Sequence, residues 1–313
     1  MAYNSNEVNL TDLQMNKKVV LNLPVYKIIA SLLIVVMVVG CIGNFLISAT
    51  ILKNKRIRVP VYALLLQVAT LNALFQAFVV PFNIYTLFHT LWTPGRALCY
   101  VMVYTTYMLF CVSGLLLTLV SVYRYVCLCH NNVYLRIKDR KVVTACCVFI
   151  WVEILVLICV FGENASFSSE YLTCVFKGSH LQTVLLIFVY LPMTLIPIAM
   201  YIKIAIFVWK SKRRVQPQEN TSSRNFTESN KLTTTTALIS LNHLVTGLLP
   251  GVLISVIPDD LTMRSNLIAV AHFLYRLTAV FDVVLFLFSN RAIRSMIRNL
   301  FRSLRPPVIL RDT

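Results

Sequence analysis

Charge is what this sequence has least of. Of its 313 residues, 13% are Asp, Glu, Lys or Arg, where a soluble domain carries about 25%. Acids are the scarcer sign, 12 against 29 bases. With 58% hydrophobic residues and a mean hydropathy of +0.75, the missing charge points to lipid as the solvent. A net charge of +17 would suggest nucleic acid in a soluble protein. Here the cations form short clusters between apolar runs, a pattern that orients a chain in a membrane. No nucleic-acid partner is therefore expected. The polar stretch Met1–Asn22 has no basic n-region followed by an apolar h-region, so no cleavable signal peptide is expected. No internal repeat with inverted symmetry supports a transporter. No Ser–His pair, paired intramembrane Asp or His-x-x-Glu cluster supports an intramembrane enzyme. Cys127-x-Cys129-His130 lacks the second ligand pair that a zinc site needs.

What remains is a set of seven apolar segments: Ile28–Leu52, Val61–Leu87 (broken at Pro81), Leu98–Val126, Val142–Phe161, Leu181–Trp209, Leu232–Ile257 and Leu267–Ser289. Each is near or above the roughly 20 residues needed to span a bilayer. Backbone groups in lipid must bond internally, which makes these segments helices. The expected fold is an all-α membrane protein, a seven-helix bundle. The third segment organises it. Between Cys99 and Arg124 run 24 uncharged residues, enough at about 1.5 Å each to cross about 30 Å of hydrocarbon with a tilt. A lone arginine where such a helix leaves the lipid is costly unless solvated or paired, which marks Arg124 as functional.

Orientation follows from the cations. Lys53, Lys55, Arg56 and Arg58 follow the first segment, and Arg136, Lys138, Arg140 and Lys141 the third. Lys210, Lys212, Arg213, Arg214, Arg224 and Lys231 follow the fifth, and six arginines from Arg291 to Arg311 follow the seventh. That is twenty cations on one side, against six (Lys17, Lys18, Lys27, Arg96, Lys177 and Arg264) on the other. The positive-inside rule places the amino terminus outside and the tail in the cytoplasm of a multi-pass cell-membrane protein. Sequons at Asn9 and Asn164 would then be luminal and open to glycan. The stretch from Lys210 to Lys231 is rich in Ser, Thr, Asn and Gln and reads as a flexible cytoplasmic loop. After the seventh segment, apolar residues at helical spacing (Ile293, Met296, Ile297, Leu300, Phe301, Leu304) alternate with arginines. They predict a basic amphipathic helix lying on anionic lipid. The expected organisation is an outer segment 1–27, a bundle 28–289, a surface helix 290–305 and a short tail 306–313.

This pattern resembles the rhodopsin-like class of G-protein-coupled receptors, and the resemblance extends over most of the chain. Gly43-Asn44 matches the GN of the first span, and Trp92 to Cys99 is similar to WxFGxxxC with Pro94 in place of Phe. Arg124-Tyr125 matches the end of the D/E-R-Y motif, Trp151 the fourth-span tryptophan and Pro250 the sixth-span proline. Tyr201 resembles the fifth-span tyrosine, one place late if Pro192 is the fifth-span proline. The resemblance implies a Cys99–Cys174 disulfide and a sixth span that swings about Pro250. It also implies a heterotrimeric G protein that contacts Arg124, Tyr125 and Tyr201. Arg124-Tyr125 with Cys129-His130, Tyr134 and Ile137 is similar to the melatonin-receptor neighbourhood. Phe161 and Val189 stand at the indole-binding places, so melatonin itself is not favoured.

The departures are as informative. Tyr123 replaces the acid beside Arg124, and no acid stands at Asn230 to clasp it, although Glu228 is close. A weakly held resting state with raised basal signalling is expected. Gly247-Leu248-Leu249-Pro250 has lost the tryptophan of CWxP, and Asp282 to Phe286 has lost the Pro and Tyr of NPxxY. Asn72 takes the place of the second-span aspartate while Asp282 carries an acid in the seventh. Asn44, Asn72, Ser113, Pro250, Asp282 and Phe286 are thus the expected activation core. Two readings of Asp282 stand open: a sodium ion or water cluster, or a hydrogen-bonded acid in a polar core.

Ligand contacts are expected from Tyr104, Tyr107 and Met108 on the third span and from His272 and Arg276, one turn apart, on the seventh. Arg276 and Asp282 point about 240° apart and do not pair. Arg276 is either a counter-charge for an anionic or lipid-like ligand or is neutralised internally by Glu153 or another acid. The tyrosine stripe is either pocket or packing. Glu153 is read as a protonated, hydrogen-bonded acid and His243 as a packed, hydrogen-bonded residue. The expected function is a non-enzymatic receptor for an extracellular ligand. The alternative is a seven-span binding, scavenging or scaffold protein with little G-protein coupling.

Overall fold

The computed structural model describes residues 23–53, 60–162, 165–168, 172–176, 179–214, 221–248, 261–289, 294–295 and 297–299. Asn9, Asn164, Pro250, the side chain of His272, the surface helix 290–305 for the most part and the tail 306–313 lie outside the described residues.

The apolar segments form helices. The first span is α1 (Leu23–Lys53). The second is α2 (Pro60–Leu74), a wide π-helical turn (Phe75–Val79) and α3 (Val80–His89). The third is α4 (Arg96–Cys129), followed by the short α5 (Asn131–Ile137). The fourth is α6 (Arg140–Phe161), started by Asp139, whose carboxylate accepts the Lys141 N–H at 3.0 Å. A hairpin of β1 (Ala165–Ser168) and β2 (Thr173–Phe176) precedes the fifth span. That span is α7 (Ser179–Leu185), a wide turn (Leu186–Tyr190) and α8 (Leu191–Arg214). The sixth is α9 (Thr221–His243) with a wide turn (Leu244–Leu248), and the seventh is α10 (Leu261–Ser289). Among the described residues, five helices are long and apolar enough to cross a membrane on length and composition alone.

Two expectations need correction. Pro81 does not break the second span; it sits in the first turn of α3, directly after a wide turn. All three wide turns end two residues before a proline (Pro81, Pro192, Pro250). A proline ring clashes with the carbonyl four residues earlier. For Pro81 and Pro192 those residues, Ala77 and Phe188, are the centres of the wide turns, where the helix opens to accommodate the ring; the third wide turn is centred on Thr246, four places before Pro250 in the sequence. Second, the polar stretch after the fifth span is helical from Thr221 onward, as part of α9. Once packing has nucleated a helix, each added residue costs little.

The third span is the hub, packed against the second, fourth, fifth and sixth, while the first packs on the second and seventh. Missing side chains set the closest approaches. A Cβ on Gly114 would lie 1.8 Å from the Met193 Sδ of the fifth span. One on Gly43 would lie 2.6 Å from Val283 of the seventh. The outward rows stay apolar, as with Val148, Phe149, Val152, Leu155 and Val156 on α6, which suits a lipid-facing surface.

Candidate functional site

The bundle carries polar chemistry at three levels. At one end the Cys99–Cys174 disulfide (Cα–Cα 5.6 Å) fastens β2 to the start of α4. The turn of the hairpin is tied to the second span as well. Thr86 Oγ1 donates to the Leu172 carbonyl at 2.6 Å, and Thr173 Oγ1 donates to Asn83 Oδ1 at 3.2 Å. Beneath the hairpin is a cavity of about 240 Å³. Tyr107 and Arg276 line it, as the sequence suggests, together with Asn83, Thr106, Thr173 and Tyr190, which it does not. Arg276 is 5% exposed. Tyr104 and Met108 are not among the lining residues. Tyr104 packs edge-on against Phe176 of the hairpin (5.1 Å) and Met108 joins the apolar core. The face of α4 that meets the cavity is instead Thr106, Tyr107 and Phe110, with i,i+3 spacing from Tyr107 to Phe110. Glu153 is half-buried on α6 and is not among the lining residues.

The cavity floor is aromatic. Tyr275 meets Phe75 (5.3 Å) and Phe110 (5.2 Å) in edge-to-face pairs, and Phe110 meets Tyr190 at 5.9 Å. A Cβ on Gly247 would touch Phe110 at 3.3 Å and Tyr275 at 3.9 Å. These two rings pack against the sixth-span segment that has lost its tryptophan.

Below the floor lies the polar core. Asp282 is 0% exposed. Its Oδ2 accepts from Asn72 Nδ2 and pairs with His243 Nε2, and its Oδ1 accepts from Asn242 Nδ2, all at 2.8 Å. The structure therefore brings Asn72 and Asp282 together. Asn44 works elsewhere, donating to the carbonyls of Gly40 and Ala279 and so joining the first span to the seventh. Ser113 is buried, its Oγ without a hydrogen-bond partner among the described residues. Phe286 is fully buried apolar core. Asn242 is the residue that sequence reasoning missed, and Asp282 is the partner of His243 that the packed, hydrogen-bonded reading did not name. Their signal is a polar dipeptide in the sixth span with a buried acid in the seventh and nothing else charged nearby.

At the far end Arg124 is 4% exposed. Its Nε and Nη2 both donate to Thr233 Oγ1 of the sixth span, at 3.1 and 2.7 Å. The clasp sought near Asn230 is thus made by a hydroxyl three residues on. Tyr123, in the place of the acid, packs edge-on against Tyr134 of α5 (5.8 Å). Tyr125 bonds His130 (2.9 Å) and lies beneath Lys203. The Tyr201 hydroxyl oxygen is buried on the fifth span.

Over 190 residues the chain is 28% identical to the G-protein coupled receptor moody of Drosophila melanogaster, covering 58% of this chain and 28% of that protein. It is 24% identical to the melatonin receptor type 1B-B of Danio rerio, covering 63% of this chain and 58% of that one. It thus spans less than two thirds of either relative. Squid rhodopsin superposes with a TM-score of 0.75 at 15% identity, covering 89% of this chain and 81% of that one, which speaks to fold alone. The matched family is one of multi-pass membrane receptors, not of enzymes. Its model, described as 7 transmembrane receptor (rhodopsin family), matches residues 43–286, so the chain belongs to that family.

Proposed function

We propose that this receptor, amino terminus outside, converts binding of a compact aromatic ligand bearing an anionic group into activation of a cytoplasmic heterotrimeric G protein. One observation carries the reading: the sixth span meets all three levels. Gly247 lines the cavity, His243 and Asn242 hold Asp282, and Thr233 holds Arg124. A ligand settling on the Tyr275–Phe110 floor pushes on the helix whose other end covers Arg124. A guanidinium lining an apolar, aromatic cavity suits a carboxylate or similar group, and about 240 Å³ suits a small molecule. Melatonin, named by several relatives, has no anionic group to offer Arg276. The twenty cations at the Arg124 end support a cytoplasmic placement of that end.

The hold on Arg124 by a neutral hydroxyl is weaker than an ion pair, and ligand-free signalling is raised accordingly. The test is G-protein dissociation in cells across the main G-protein subtypes, at matched surface expression. First no ligand is added, and then a panel of aromatic carboxylates is tested on the natural chain and on Arg276→Gln. The reading expects basal dissociation above mock with at least one subtype, and an agonist response that Arg276→Gln reduces by tenfold or more in potency, in line with the roughly 1.5–3 kcal/mol of a hydrogen bond to a charged group. Silence across all subtypes favours the scavenging or scaffold alternative, which the losses at Tyr123 and Leu248 support.

A further inference from the structure

A carboxylate sealed in lipid needs a counter-charge or a full set of hydrogen-bond donors. Asp282, 0% exposed, has three donors. Two, Asn72 and Asn242, are amides and always neutral. The third, His243, is the one among them that can carry charge.

We propose that His243 and Asp282 form a proton-binding site. The hydrogen ion on His243 Nε2 is the counter-ion of the carboxylate, in the place where a sodium ion would otherwise sit. The site can be tested for sodium on its own geometry, and it does not fit. A hard cation takes oxygen ligands, yet both Asp282 oxygens already face N–H groups at 2.8 Å. Of the buried side-chain oxygens without a partner among the described residues, Ser113 Oγ and Gln76 Oε1 belong to side chains that line a separate hollow of about 20 Å³ beside His243 and Asn72, while Asn44 Oδ1 does not. That volume suits one water, which leaves the ring a neighbour able to take or return a proton.

Each neighbouring span brings ionisable or polar groups toward the pair. On the seventh span Asp282 touches the ring and Tyr275 shares the hollow, while Arg276 is six residues from Asp282 toward the outer cavity. On the third span Cys111 lies two residues to one side of Ser113, and Arg124 lies eleven to the other. On the fifth, Tyr190 reaches the cavity floor and Tyr201 the Arg124 end. The second span offers the amides Asn72 and Gln76. When the proton leaves, neutral imidazole and bare carboxylate remain, and the charged tie between the sixth and seventh spans is lost. His243 is the last residue of α9 before its wide turn, so this tie fixes the helix just where it can hinge. The proposal does not depend on which ligand or G protein the receptor uses.

The experiment is thermal unfolding of the full chain in lipid nanodiscs, read by tryptophan fluorescence. It is run across the imidazole range, about pH 5.5 to 8.5, with sodium chloride or choline chloride at equal ionic strength. A folded state that binds a proton the unfolded chain does not bind is most stable at low pH and loses that stability as pH rises. The natural chain should therefore lose several degrees of midpoint as pH rises and should not distinguish sodium from choline. His243→Asn, which keeps an N–H but takes no proton, should flatten the pH profile and, with both carboxylate oxygens still facing N–H groups, should not distinguish sodium from choline either. Asp282→Asn should flatten the profile as well. A flat profile in the natural chain overturns the proposal, as does a sodium-dependent rise of its midpoint. If His243→Asn does not fold, an unchanged profile in Asp282→Asn overturns it as well.

Discussion

Thr233 illustrates how much one hydroxyl can decide. It receives two N–H groups of a guanidinium that is almost out of solvent. Thr233→Val keeps the shape and removes the acceptor. A hydrogen bond to a charged group is worth about 1.5–3 kcal/mol, and Arg124 has further contacts that remain. Ligand-free G-protein dissociation should therefore rise several-fold at matched surface expression, and an unchanged basal signal would count against the clasp. At the core, Asp282→Ala orphans three buried donors, a loss of about 3–5 kcal/mol. It should lower the thermal midpoint far more than Asp282→Asn, which can still bond. The exchange of acid and amide between Asn72 and Asp282 was legible only against the pattern of the family that the sequence resembles; that the two side chains bond each other was not. The Thr233 clasp was hidden inside four consecutive threonines (233–236), any of which could face Arg124. His243 was read as packed and hydrogen-bonded, which it is, but its partner 39 residues away could be found only in three dimensions.

Elements were easier to read than their phases. Seven apolar runs yield seven helical spans, because lipid leaves the backbone no other option. What the runs did not reveal is which face of each helix turns inward. Of the stripe Tyr104, Tyr107 and Met108, read as either pocket or packing, Tyr107 lines the cavity and the other two pack, while Phe110 joins the lining. Close approach was equally invisible, since a glycine in an apolar run looks like any small residue. Gly114 is where the third and fifth spans touch. Gly114→Val forces Met193 away, and overpacking of this kind costs about 1–3 kcal/mol. The midpoint of unfolding should fall, and Met193→Ala should restore much of it. Equal losses in the single and double variants would show that the helices do not meet there.

Among the described residues, covalent and hydrogen bonds hold the molecule at one end, and the clasp of Arg124 on Thr233 holds the other. The Cys99–Cys174 link, Thr86 and Asn83 hold the hairpin over the cavity. Cys99→Ser and Cys174→Ser should each reduce surface expression as much as the double change does, because either alone opens the same bond; additive losses would argue for separate roles. Placement of the termini rests on the cation count. Epitope tags on intact cells should therefore expose the amino terminus alone, and a deglycosidase should shift the band through Asn9 or Asn164. The three wide turns have a practical corollary for anyone building hybrids. Each inserts an extra residue per turn into its helix, so the halves on either side are rotated relative to a plain α-helical count. A graft of the hairpin-side halves onto another receptor will keep the binding residues in place only if the junction in the second span falls before Phe75 and that in the fifth after Tyr190. A splice that leaves the bulge behind would deliver the right residues to the wrong side of the helix.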